Sequence, residues 1–382
     1  MRRSFIQFGM LFSLLCCVAQ SGISQQEDAT SGAVWRIIAY ELIAPGSGWA
    51  ASSTNLYWTD DNGASWKDIT PPQVSSRTII QNAYFADRLR GWAPLMKTAI
   101  DPTSVYKEDP SLSIFRVAMT EDGGSSWKVS SSVSKIPFDP AKLPPQDSSI
   151  SFSDNAHGWI LVSNSSSQLS RSGVLLQTAD GGAHWKALPR PPIDGEIRFA
   201  SARDGILTTN ENPYADTAVW YTHDGGLSWI PSTLPVPKGC PECVLNSIDR
   251  ATFTGLSSAV VTASMRTPEV DDLRALQYVT LDGGATWHLR QEDKILGSNV
   301  NLGVQIVKDG HTVAYCPTSD KSLAVTIDGK KSVYSLPQGL RFPPFAKASI
   351  ASDLSGWALT SDRMELLSID PKSGQVRIIT PQ

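Results

Sequence analysis

One eight-residue box recurs down this chain and limits what it can fold into more than any other feature. It appears as Thr59-Asp60-Asp61-Asn62-Gly63-Ala64-Ser65-Trp66 and again as Thr120-Glu121-Asp122-Gly123-Gly124-Ser125-Ser126-Trp127. Thr178-Ala179-Asp180-Gly181-Gly182-Ala183-His184-Trp185, Thr222-His223-Asp224-Gly225-Gly226-Leu227-Ser228-Trp229 and Thr280-Leu281-Asp282-Gly283-Gly284-Ala285-Thr286-Trp287 are three further full copies. Thr326-Ile327-Asp328-Gly329 keeps the front half, and Ser368-Ile369-Asp370 followed by Gly374 is a worn seventh. A fixed period of this kind marks a repeat architecture, in which length adds units around one core instead of adding domains.

Each unit also has an upstream marker at the end of a short apolar run: Gly48-Trp49-Ala50, Gly91-Trp92-Ala93, Gly158-Trp159-Ile160 and Gly356-Trp357-Ala358, with weaker equivalents elsewhere. Nine of the 12 tryptophans sit at a marker or close a box, so tryptophan here serves the repeat. The spacing predicts four short strands per unit, with the box as the tight turn between the third and fourth. Four strands in about 40–50 residues is the pattern of a propeller blade. The expectation is an all-β, seven-bladed β-propeller with four-stranded antiparallel blades over residues 34–382, after a short segment at 25–33.

The box has its own local logic. An Asp side chain accepts hydrogen bonds from the backbone of its own turn, glycine supplies positive φ without a steric penalty, and the Trp buries a large ring beside the strand. Asp61, Asp122, Asp180, Asp224, Asp282, Asp328 and Asp370, with Trp66, Trp127, Trp185, Trp229 and Trp287, are therefore expected to be structural, because a catalytic group is needed once and these recur. No metal site and no cofactor is expected.

The Thr-x-Asp-x-Gly-x-Ser/Thr-Trp pattern resembles the Asp-box, or bacterial neuraminidase repeat. Joined to the Gly-Trp-Ala markers, it is similar to the photosystem II assembly and stability factor family of seven-bladed propellers, over roughly residues 34–382. The resemblance implies a non-catalytic binding platform with a protein partner, a subunit of a membrane or envelope complex. The competing class is a glycoside hydrolase or glycan-binding protein, since sialidases use the same boxes. No Arg-Ile-Pro segment precedes the first box here, where Trp35-Arg36-Ile37-Ile38 stands instead, which argues against a sialidase. A pair of carboxylates flanking a glycosidic bond could still be assembled from Asp101, Glu108, Asp109, Glu211 and Asp216.

In a four-stranded blade the first and third turns share one face of the disc. The long irregular segments Lys97 to Ser113, Ser163 to Ser172, Asn210 to Thr217 and Arg266 to Arg274 all fall between second and third strands, on the face opposite the boxes. Thr70 to Arg77, Ser130 to Gln146 and Pro231 to Leu245 fall between blades, on that same face. Loops on a rigid scaffold carry binding residues, and Tyr and Arg dominate interface hot spots. Lys97, Tyr106, Lys107, Arg171, Tyr214, Arg266 and Arg274 are accordingly the candidate partner contacts. Cys240-Pro241-Glu242-Cys243 lies in one of these loops and reads as a short disulfide, with Cys316 as a buried small apolar residue.

Residues 1–24 read as an export signal: Arg2 and Arg3, an apolar stretch from Phe5 to Val18, then small residues. The same residues fit an ordinary secretory leader and a twin-arginine leader. The expected location is periplasmic or extracellular, with no transmembrane segment in the mature chain, as a monomer. The formal net charge of −4 becomes −6 without the leader, whose two arginines have no acidic counterpart. Such a balance excludes a general nucleic-acid binder and a polybasic membrane-surface mode. Finally, Ala33 to Ile38 can open the first unit or add to the last as a clasp, and the clasp is expected because it protects the weakest seam.

Overall fold

The computed structural model describes residues 36–381 except 77, 98–113, 132, 134–147, 163–172, 210–217, 268–269, 297–302, 307–311, 320–321, 328–329, 336–347 and 361–363. The export-signal reading therefore lies outside the described residues. The described residues all belong to one unit, Trp35–Gln382.

Seven antiparallel sheets follow one another along the chain. The first contains Ala39–Ala44, Ser47–Ala51, Leu56–Thr59 and Lys67–Asp68, and the second Thr78–Ile80, Tyr84–Phe85, Gly91–Lys97, Ile114–Thr120 and Lys128–Val129. The third contains Ser148–Phe152, Gly158–Val162, Val174–Thr178 and Lys186–Ala187, and the fourth Glu196–Phe199, Gly205–Thr208, Val219–Thr222 and Ile230–Ser232. The fifth is built of Val244–Ile248, Thr252–Phe253, Ala259–Thr267, Val270–Thr280 and His288–Leu296. Gly303–Ile306, Thr312–Ser319, Ser322–Ile327 and Lys330–Ser335 form the sixth, and Ala348–Ile350, Gly356–Leu359, Leu366–Asp370 and Gln375–Ile378 the seventh. The architecture is an all-β propeller.

The expected seven blades of four strands require correction on two points. Two of the sheets have five strands, because the first strand is split. In the second sheet Ile80 pairs with Leu95 but Tyr84 pairs with Trp92, so one residue is gained in between. The gap faces Pro94, which has no N–H to offer a ladder. The fifth sheet has the same slip between Ile248–Ala263 and Thr252–Val260. The second point concerns the core: the described buried side chains form six apolar clusters, each between two neighbouring sheets and none within a single one. These clusters bridge every pair of neighbours except the fifth and sixth sheets. The packing unit is thus the seam and not the blade, since a thin sheet buries both faces only against its neighbours.

The clasp expectation is also overturned. The Ile38 N–H donates to Ala51 O of the first sheet at 2.8 Å, and the four strands of the seventh sheet are contiguous in sequence. Ile37 still crosses the seam, packing with Trp357 and Leu366. Closure is made by side chains, not by strand exchange.

Candidate functional site

The boxes are self-contained clips. In five of them the Thr hydroxyl donates to the Asp carboxylate at 2.7–2.9 Å and accepts the N–H of the second glycine position at 2.8–3.0 Å. The same carboxylate accepts the N–H four residues on at 2.8–2.9 Å. A further N–H, from Asn62, Gly123, Gly181, Gly225 or Gly283, reaches the turn between the first two strands of its own sheet at 2.7–2.9 Å. This bond puts both turns on one face. Hydrogen bonds led by the Ser65 hydroxyl hold Asp61 at about 2, and those led by Ser126 do the same for Asp122. For Asp224 and Asp282 burial pulls upward, yet the hydroxyls of Ser228 and Thr286 and the adjoining N–H donors still bring each to about 2. Asp370 is likewise lowered, first by the Ser373 hydroxyl. Three of the roughly four acceptor sites of such a carboxylate are committed to its own turn. Asp328 lies outside the described residues.

The polar side chains that do converge come from the first strands. Glu41 of the first sheet, Arg198 of the fourth and Arg250, between the two first-strand segments of the fifth, meet at Arg250 Nη2–Glu41 Oε1 3.6 Å and Arg198 Nη2–Glu41 Oε1 4.0 Å. Three sheets spaced around a ring can share one contact only across its axis. Tyr84 of the second sheet joins them, with the Arg198 guanidinium 5.8 Å from its ring centroid, within cation–π range. Glu196 lies beside Arg198 on the same strand, its carboxylate accepting the Ser149 hydroxyl of the third sheet at 2.9 Å.

The electrostatics of this axial group are unbalanced. Burial, and then the neighbouring charge of Arg250, draw Arg198 down to about 10 against the opposing pull of Glu41, Tyr84 and Glu196. Burial raises Tyr84 above the ordinary phenol range. Arg198 therefore stays cationic at neutral pH, in a place that favours an added anion. Glu41 is thus held by two guanidiniums at ion-pair distance, each presenting planar N–H donors.

The first strands have a free edge toward the axis, and hydroxyls satisfy it. Ser149 Oγ accepts from Ile197 N at 3.0 Å, Ser151 Oγ from Phe199 N at 2.9 Å, and Ser349 Oγ from Leu42 N at 2.8 Å. Each bond reaches from one sheet to the next, so the axis is lined by satisfied edges that have no need of another strand.

The sequence-selected contacts fare differently. Tyr106, Lys107, Arg171 and Tyr214, and the carboxylates Asp101, Glu108, Asp109, Glu211 and Asp216, lie outside the described residues. Lys97 ends a strand, half-buried, paired in register with Thr78. The supposed loop from Arg266 to Arg274 is instead a β-hairpin, Ala259–Thr267 against Val270–Thr280. Arg266 is exposed on it, but Arg274 is engaged internally, with Glu292 and with Gly239 O at 3.3 Å. Cys240 and Cys243 are disulfide-bonded and buried. Cys316 lies on the strand Thr312–Ser319, its side chain outside the described set. Glu41, Tyr84, Arg198 and Arg250 escaped the sequence reading because they lie on first strands with no shared motif. The only signal was charge placed among apolar residues of a short strand, as in Glu196-Ile197-Arg198-Phe199. Among the described residues no group of three or more His, Cys, Asp or Glu could hold a metal ion, and no helix is long and apolar enough to cross a membrane.

Comparison with known proteins gives the fold and little more. No family model matches the chain, and no curated protein matches it. Among solved structures, prolyl oligopeptidase B from Galerina marginata aligns at TM-score 0.53 and 11% identity, covering 91% of this chain and 51% of that one. Porphyromonas gingivalis dipeptidyl peptidase 4 aligns at TM-score 0.42 and 10% identity over 90% of this chain and 52% of its own. An α-L-arabinofuranosidase from Fusarium graminearum aligns at 0.42 and 10%, covering 78% and 91%. The chain spans about half the length of the two peptidases, and the alignment to prolyl oligopeptidase B bears on the fold alone.

Proposed function

We propose that this chain is an exported, non-catalytic propeller that binds a partner polypeptide by seating an acidic group of that partner against the axial arginines. One observation carries the reading: Arg198 and Arg250, from two sheets, share the single carboxylate of Glu41 at 4.0 and 3.6 Å. A bidentate carboxylate is the natural complement of a guanidinium edge, and a low-dielectric axis strengthens the bond. The resemblance to propellers that assist assembly of a membrane complex supports a protein as the bearer of that group. On the face opposite the boxes, half-buried Lys97 and exposed Arg266 would extend the contact.

The test is titration with acetylated peptides ending in a free carboxylate or in an amide. Binding of the acid, at least tenfold weaker for the amide and lost in Arg198→Met with Arg250→Met, is the expected result. Equal binding of acid and amide, or none, overturns it. A second reading, a glycoside hydrolase, draws on the presence of two carboxylates, Glu41 and Glu196, in the field of the half-buried Arg198. Turnover of chromogenic glycosides that disappears in Glu41→Gln or Glu196→Gln would install that reading in place of the first.

A further inference from the structure

Leucine stands at three surface positions of the fourth and fifth sheets where the second and third sheets carry small or polar residues. Leu281 follows the box threonine, the place of Glu121 and Ala179. Leu227 is the sixth box residue, the place of Ser125 and Ala183. Leu256 precedes the carbonyl that receives the box N–H, the place of Arg88 and Asn155. The three leucines are 54–73% exposed. Ile230, exposed as well, begins the outermost strand of the fourth sheet directly after its box. These four are half of the eight large apolar side chains exposed among the described residues. A lone exposed leucine is ordinary, whereas a concentration of them on one face marks an interaction site.

The two boxes form one continuous, stiff surface. A Cβ on Gly283 would lie 3.1 Å from His223 Cε1, and one on Gly284 3.1 Å from Tyr221 Cβ, so the fifth box rests on the end of the fourth sheet. The His223 ring is fixed in turn, with Nδ1 2.8 Å from Asp204 Oδ1, while Arg203 Nε donates to His223 O at 3.1 Å. In the fifth sheet Gly283 N donates to Ser257 O at 2.7 Å, which ties Leu256 to the box that carries Leu281. The formal charge of this surface is negative: Asp204, Asp224 and Asp282 face one guanidinium, that of Arg203. Asp224 and Asp282, each at about 2, stay ionised across the physiological range.

We propose that the box face of the fourth and fifth sheets is a docking surface for an apolar, lysine- or arginine-bearing segment of a partner polypeptide. The segment's apolar side chains cover Leu227, Leu256 and Leu281, and its cations meet the three carboxylates around them. The sign of the charge selects this occupant over two others. An anionic bilayer attracts basic surfaces and repels this one. A second copy of the same face would set carboxylates against carboxylates around the leucines, and such like-charge contacts suppress association. The surface lies on the face opposite Lys97 and Arg266 and shares no residue with the axial group, so it goes beyond the axial reading and does not depend on it.

The probes are three fluorescent, end-blocked peptides of equal length: one of leucine, lysine and serine, one of leucine, glutamate and serine, and one of lysine and serine alone. Each is titrated into the native chain and into Arg198→Met with Arg250→Met, so that a glutamate captured at the axis is recognised as such. The leucine–lysine peptide should bind both proteins saturably and equally, and the other two at least tenfold more weakly to the arginine variant. Leu256→Ser with Leu281→Ser should weaken the leucine–lysine peptide at least tenfold and leave the urea midpoint unchanged, because both side chains already meet water in the folded chain. Leu89→Ser, at an exposed leucine of the second sheet, should leave binding unchanged. Absence of binding overturns the proposal, as does equal binding of the lysine and glutamate peptides to the arginine variant. Binding that survives the double leucine change overturns it too, and so does flotation with phosphatidylglycerol vesicles that this change abolishes.

Discussion

The indole N–H of Trp66 donates to the backbone carbonyl of Ile379 at 2.7 Å, joining residues 313 positions apart in the chain. The same bond recurs one seam along, where Trp127 donates to Ile69 O at 2.9 Å. In both places the second box glycine packs on that isoleucine: a Cβ on Gly63 would lie 2.4 Å from Ile379 Cβ, and one on Gly124 2.5 Å from Ile69 Cβ. The junction between the chain's two ends thus repeats the box contact of the seam between the first and second sheets.

Replacing Trp66 by Phe keeps most of the ring but leaves the Ile379 carbonyl without its donor. A loss of about 1 kcal/mol is expected from a net hydrogen bond of this kind, with a matching loss for Trp127→Phe. Equal shifts in urea midpoint for the two variants would confirm that closure has no special chemistry. A much larger effect at Trp66 would show that it does.

Gly124→Ala should be among the most damaging single changes. The backbone there has φ +80°, and the new methyl would collide with Ile69. Strain and overpacking together cost roughly 2–4 kcal/mol. Gly239→Ala, where the nearest atom is the Arg274 guanidinium at 3.5 Å, should be close to neutral. Calorimetry on the two proteins checks the contrast.

The first-box asparagine is a variation on the same seam. Trp92 and Trp159 donate their indole N–H to Gly181 O and Gly225 O of the next sheet. At the closing seam Trp357 donates instead to the Asn62 side-chain oxygen at 2.8 Å, while the Asn62 amide donates to Ser368 Oγ at 2.8 Å. Asn62 has φ 56°, a conformation that Asn tolerates better than most residues. Asn62→Gly should cost about 1–2 kcal/mol through two lost bonds, and Asn62→Ala about 1 kcal/mol more through strain.

The box carboxylates set an acid limit. Asp61, Asp122, Asp224 and Asp282 each titrate at about 2 when folded, below the ordinary value of 3.8. A depressed carboxylate stabilises the fold fully above its unfolded pKa, and that contribution disappears as pH falls through the folded one. Stability should therefore be flat from neutrality to about pH 4 and decline between about pH 4 and 2. Asp122→Asn should flatten this slope in urea titrations followed by tryptophan fluorescence, and an unchanged slope would remove the box from the acid response.

Glu41→Gln removes the one carboxylate between Arg198 and Arg250. The three side chains are 20–34% exposed, so solvent tempers the repulsion and a loss of roughly 1–2 kcal/mol is expected. Glu41→Gln combined with Arg250→Met should recover most of it. Additive losses in that cycle would mean that the axial contacts are not coupled.

How much of this was visible beforehand depends on the range over which each feature is decided. The box geometry could be read from eight residues, because Thr222, Asp224, Gly226 and Ser228 complete one another's hydrogen bonds inside a single turn. The repetition of that turn disclosed the all-β propeller and the face on which the boxes sit. The split first strands were less visible, since Pro94 disrupts a ladder only once its partner strand is known. Arg274 looked like a loop contact because a long hairpin, Ala259–Thr267 against Val270–Thr280, resembles an irregular insertion of the same length.

The axial group could not be found from the chain alone. Glu41, Tyr84, Arg198 and Arg250 span more than 200 positions, share no spacing, and meet only because their strands are the innermost of four different sheets. Turns are fixed by neighbours along the backbone, and the sequence states those neighbours directly. Which charges share the axis is fixed by ring closure, in which residues remote in sequence become neighbours through packing across the seams.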